Sequence, residues 1–291
     1  MEKRSTPYVT IRSIVMSDFF QALINYPFLQ YALFAGLLAS LSCGIIGTYV
    51  VTRRITYLAG GIAHCVLGGI GLARYLQVVH GWTYFTPLLG ALLAALLAAF
   101  SIGWISLHAR ERIDTAISAF WGIGMAAGVL FISRTPGYGE DLMGYLFGNI
   151  LLVTPQNLLL LGGLDLLILI TVLLFHKQFA AICFDEEFAR LRGVHVQLFY
   201  FLLLALVALT VVLLVSIVGI VLVIVLLTLP AAIATRFSYR LPVAMTIATL
   251  LVALLSTVGL ALSYSPNLPA GVTIILLIAL AYLLSLFVKP K

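Results

Sequence analysis

The sequence predicts an all-α, polytopic transmembrane helical bundle, and three observations carry that prediction. Of its 291 residues 63% are hydrophobic and 9% charged, with a mean hydropathy of +1.18; a soluble domain carries about 25% charged residues. Apolar runs of about twenty residues recur along the chain, the length a helix needs to cross a bilayer core. These runs are continuous and lack the period-two alternation of a transmembrane barrel. The formal charge of +6 comes with no basic patch interleaved with aromatics, so it reads as loop placement around a membrane and not as a nucleic-acid surface.

Taken in order, residues 1–27 form an N-terminal extracytoplasmic or interfacial segment. It lacks the compact apolar run and small-residue cleavage site of a signal peptide, so it is expected to be retained; Asp18 to Asn25 are weakly amphipathic and suit the interface. A first span runs from about Phe28 to Val51 and is followed at once by Arg53 and Arg54. The second covers Thr56 to Gln77, and the third about Phe85 to Leu107 after a polar loop through His80 and Trp82. A charged turn leads to the fourth span, Ile113 to Ser133. Asp114 lies in its first turn, where the helix dipole favours a carboxylate, so a structural role is expected.

After the turn-rich RTPGYGED, the apolar stretch LMGYLFGNILLV is only twelve residues long, too short to span and expected to be a half-helix or re-entrant piece. Pro155 opens the fifth span, which reaches about Phe175. The interval His176 to Gln197 is the longest hydrophilic one; its apolar residues recur at helical spacing among charges, as in a short surface helix. From Leu198 to Ala234 the apolar stretch exceeds one crossing, so a tight turn near Ser216 to Gly219 must divide it. Spans at about Leu241 to Leu262 and Gly271 to Val288 complete the set, leaving 289–291 as a tail.

The span count is thus about nine, within a range of eight to ten. With the N-terminus outside, about eleven basic residues lie inside, among them Arg53, Arg54, Lys177, Arg190, Arg192, Arg236 and Arg240, and about five outside. The positive-inside rule favours nine spans with the N-terminus out and the C-terminus in.

Two ionisable residues fall at membrane depth. His64 is flanked at helical steps of three and four by Gly60, Gly61, Gly68 and Gly71, so one helix face is a glycine groove holding a single imidazole. Such a face is either a close-packed seam with a hydrogen-bonded histidine or a gate and cation-binding point. Asp165, near the centre of the fifth span, is either a functional carboxylate or a protonated seam residue. Cys43, Cys65 and Cys183 have no CxxC spacing and read as small apolar filler.

Four stretches together resemble one family: RRITYLAGGIAH, the double arginine before a GD-x-x-x-H-type segment; LFGN at Leu146 to Asn149; FDEEFARLRG from Phe184; and VGIVLVIVLLTLPAAIA from Val218. The chain resembles the membrane permease subunits of ABC-type importers of zinc, manganese or iron(II), over about Phe28 to Val288. That resemblance implies a type II-like ABC importer permease fold in the bacterial inner membrane, with residues 28–288 as the permease domain. It also implies a second permease copy or related subunit, a cytoplasmic ABC ATPase dimer and an extracytoplasmic metal-binding protein as partners.

By the same resemblance His64 matches the metal-binding histidine, and Gly60 stands where the family has an aspartate. From their spacing around His64, Gly60, Gly61 and Gly68 are read as pathway glycines, and Asp165, on another helix, is the candidate substitute carboxylate for the metal. Residues 176–197 become the cytoplasmic coupling loop, with Phe184, Asp185, Glu186, Glu187, Phe188, Arg190 and Gly193 facing the ATPase. The chain binds no cofactor; the divalent ion is cargo. No GxxxxGK[ST] loop occurs, so ATP hydrolysis is expected in a separate partner and not in this chain. The alternative is a stand-alone ion-coupled transporter or channel using His64 and Asp165.

Overall fold

The structure, a computed structural model, describes residues 19, 21–108, 113–136, 142–264, 266 and 268–288. The expectations for residues 1–18 and for the tail at 289–291 lie outside the described residues. Among those described, nine helices are long and apolar enough to cross a membrane. They are α1 (Pro27–Thr52), α2 (Thr56–His80), α3 (Pro87–His108), α4 (Ile113–Ser133), α6 (Pro155–Phe184), α8 (Val196–Val218), α9 (Ile220–Phe237), α10 (Leu241–Tyr264) and α11 (Ala270–Phe287). Two short helices, α5 (Leu142–Phe147) and α7 (Glu186–Leu191), lie between them, with a 3-10 turn at Ile150–Leu152.

Prolines open several helices at the one place where a missing N–H costs nothing: Pro27 begins α1 and Pro155 begins α6, where Thr154 accepts from the Asn157 amide. Helix α2 stops at Gly81, whose φ of 69° makes a left-handed cap. Helix α1 is the most enclosed of the long helices and lies against α10, α9 and α6. Helix α2 packs chiefly on α4 and α3, and α8 joins the two groups through α3 and α6.

The short LFGN stretch turns back instead of crossing. Helix α5 ends at Gly148 (φ 62°), which lies directly against Gly219 (φ 83°), the single residue separating α8 from α9. A side-chain carbon on either glycine would overlap the other's backbone. The expected turn near Ser216 to Gly219 is therefore a one-residue break, held by a glycine that needs both its φ and its missing side chain.

A kink marks the expected end of the fifth span: Phe175 is non-helical (φ −117°, ψ 19°), and a second helical stretch continues from it to Phe184. Buried Phe179 and Ile182 extend its packed stripe, with Phe179 5.5 Å from the Tyr49 ring and 5.9 Å from the Phe199 ring. Packing on α1 and α8 thus buries a helical face whose spacing the sequence predicts but whose charges place it at the surface.

Candidate functional site

Eight residues into α2, the His64 ring is fixed from two sides. Its Nδ1 hydrogen-bonds the Gly60 carbonyl at 2.8 Å, and its face stacks on the Trp121 indole of α4, with centroids 4.1 Å apart and planes at 25°. A neutral imidazole that donates from Nδ1 keeps Nε2 as an open lone pair, the arrangement found in metal-ligating histidines whose other nitrogen is held by a carbonyl. Only 7% of the residue is exposed within the protomer.

The glycines around it divide by role. Side-chain carbons on Gly68 and Gly71 would meet the Gly124 and Gly128 carbonyl oxygens of α4 at 2.9 and 2.8 Å, and one on Gly61 would meet Ile117 at 2.9 Å. At Gly61 and Gly68, α4 therefore occupies the space that a side chain would need. Gly60 differs, because a side-chain carbon there would stand at ordinary contact distance, 3.4 Å from Trp121 and 3.8 Å from Ile224. Cys65 is spent on packing, its thiol donating to the Phe120 carbonyl at 3.2 Å.

Asp165 sits elsewhere. It is buried in the seam between α6 and α1, where Ser42 donates to its Oδ1. Helix α2 packs on α4 and α3, whereas α6 packs on α1 and α8, so Asp165 and His64 fall in different seams and do not form one site within a protomer. Among the described residues, no group of three or more His, Cys, Asp and Glu is placed to hold a metal ion.

At the far end of α6, Asp185 caps α7 by accepting from the Phe188 amide at 2.9 Å, and Gly193 (φ 77°) turns the chain toward α8. Phe184, Phe188 and Leu191 are exposed, at 65%, 50% and 87%, with Glu187 and Arg190 also exposed. This makes an apolar patch with charges on a six-residue helix. The Glu186 side chain is 40% exposed. It turns back to pair with Arg53 at 2.5 Å.

Toward the opposite end of α2, a cleft of about 920 Å³ is lined by polar groups from Arg74, Thr86, Asn149, Gln156, Asn157 and Ser216. Trp121, Ser42 and Arg53 are the residues that sequence reading did not assign to a site. Each acts through a partner far along the chain, and only the double arginine was marked by a motif.

Residues 25–289 match the model of the ABC 3 transport family. The chain belongs to the ABC 3 transport family. Among its relatives in that family, a probable metal transport system membrane protein of Chlamydia pneumoniae is 44% identical, over 96% of this chain and 94% of that one. The manganese transport system membrane protein MntC of Halalkalibacterium halodurans is 32% identical, over 95% and 92%. In three dimensions the chain resembles PsaBC from Streptococcus pneumoniae, solved in complex with Fab, with a TM-score of 0.83 and 30% identity over 95% of this chain and 97% of that one. As an ABC 3 member it is a multi-pass inner-membrane permease subunit of an ABC transporter; ATP hydrolysis belongs to a separate subunit.

Proposed function

We propose that this permease admits a divalent transition metal ion, with manganese first among manganese, zinc and iron, by alternating access around His64 where two permease copies meet. The observation that carries the reading is the His64 ring itself: Nδ1 is tied to Gly60 and the ring is held by Trp121, so Nε2 stays available to a cation. Two imidazoles, one from each copy, make a sparse site that releases as readily as it binds, as conduction requires. Manganese is placed first because relatives at about one-third identity are named for manganese transport; imidazole also suits zinc and iron.

The exposed patch of Phe184, Glu187, Phe188, Arg190 and Leu191 is the proposed contact with a cytoplasmic ATPase dimer, and the outer surface is the proposed contact with an extracytoplasmic metal-binding protein. The stand-alone relay reading loses its ground because it needs His64 and Asp165 together, and the two lie in separate seams.

The test is uptake of manganese, zinc and iron(II) into proteoliposomes holding the permease, with and without its ATPase. ATP-dependent uptake of one of these ions only when the ATPase is present is expected. Uptake driven by an ion gradient in the permease alone would reverse the reading.

A further inference from the structure

The short helix α7 is joined to the start of the His64 helix through one buried cation. Arg53 is the residue at which α1 ends, three positions before α2 begins, with Arg54 between them in a left-handed conformation (φ 61°). Its side chain is 9% exposed and engages three elements at once. One guanidinium nitrogen pairs with Glu186 Oε1 at 2.5 Å and another donates to the Ile182 carbonyl in the last turn of α6. The guanidinium carbon lies 4.3 Å from the centre of the Tyr200 ring on α8, and the Tyr200 hydroxyl donates to Ser106 of α3 at 3.3 Å. One turn earlier, Tyr49 meets His176 Nδ1 at 3.0 Å, next to the non-helical Phe175.

A planar guanidinium held by a carboxylate, a carbonyl and an aromatic face is constrained in direction as well as charge. Separating the pair would leave the Arg53 guanidinium, whose side chain is 9% exposed, without its carboxylate. The cheaper response to a shift of α7 is for Arg53 to follow Glu186. Because Arg53 belongs to the three-residue linker from α1 to α2, that movement is delivered to the end of the helix that carries His64.

We propose that Arg53 is a positioning residue that transmits displacement of α7, through its pair with Glu186, to α2 and the His64 site. The proposal rests on α7 being the ATPase-facing segment. Glu186 then serves transmission inside the permease, while Glu187, Phe188 and Leu191 serve docking.

The experiment uses the permease assembled with its ATPase and compares the parent with Glu186→Gln, a change at a side chain 40% exposed and therefore mild for folding. Arg53→Lys, which keeps charge and loses the fork, is the second variant. Three quantities are read: ATPase co-purified, metal moved per ATP hydrolysed, and maleimide labelling of Tyr57→Cys, a position on α2 that is 49% exposed, with and without ATP. Both variants are expected to retain the ATPase and its hydrolysis, to move about tenfold less metal per ATP, and to lose the ATP-dependent change in labelling. The proposal is overturned by a parent-like ratio and labelling change, by loss of the ATPase from the complex, or by absence of any ATP response at Tyr57→Cys in the parent. A parent that shows the labelling response and moves none of the three metals would overturn the metal assignment alone.

Discussion

The imidazole of His64 lies against the indole of Trp121, with centroids 4.1 Å apart and planes inclined by 25°. The contact joins α2 to α4 at the one histidine of the α2 interior. It holds the ring in a single orientation while the Gly60 carbonyl holds Nδ1. An aromatic pair of this kind is worth about 1 kcal/mol beyond the area it buries. Replacing Trp121 by alanine is therefore expected to raise the metal concentration for half-maximal uptake several-fold, with Trp121→Phe intermediate. Uptake titrations on reconstituted transporter measure it; an unchanged titration for the alanine variant would separate the stack from ion binding.

The α2–α4 seam gives a stability prediction with an internal control. Gly68→Val or Gly71→Val drives a side chain into a carbonyl less than 3 Å away, whereas Gly162 and Gly163 have no heavy atom within 4 Å of an added carbon. Overpacking of this type costs about 1–3 kcal/mol. Thermal unfolding in detergent is expected to show lowered midpoints for the first pair and parent-like midpoints for alanine at the second.

Asp165 is expected to behave as a seam residue. Asparagine preserves an acceptor for Ser42, so Asp165→Asn should transport within about twofold of the parent. Asp165→Leu strands the Ser42 hydroxyl at a cost of about 1–3 kcal/mol and should lower the melting midpoint. Loss of uptake in Asp165→Asn, with folding intact, would return the carboxylate to the transport path.

The exposed half of α7 is expected to hold the ATPase. Glu187→Lys combined with Leu191→Asp alters an exposed charge and an 87% exposed apolar side chain, leaving the Arg53 pair untouched. Co-purified ATPase should fall severalfold; wild-type recovery would move the docking surface elsewhere.

Much of this fold is legible because its signals are local. The apolar run after Leu198 is too long for one crossing, and Gly219 is where a helix can break, so sequence alone locates the division between α8 and α9. The LFGN piece is too short to cross, and Gly148 gives it a turn. What sequence could not supply is pairing at long range. Ser42 and Asp165 are 123 residues apart and Arg53 and Glu186 are 133 apart; nothing in the neighbourhood of either residue names its partner. The same gap explains the glycines: spacing identified a small-residue face on α2, and only the position of α4 shows that Gly61 and Gly68 are filled by packing. The helical spacing of Phe179 and Ile182 was legible too; that this face is buried against α1 and α8, and not at the surface, depends on partners the sequence does not name.

The central claim is that the cation passes the His64 imidazole, and the most direct measurement is ATP-driven metal uptake by His64→Ala in proteoliposomes. Uptake is expected to fall to the level of protein-free vesicles while the variant remains folded, in the membrane and bound to its ATPase. Uptake at the parent rate by that folded variant would contradict the account.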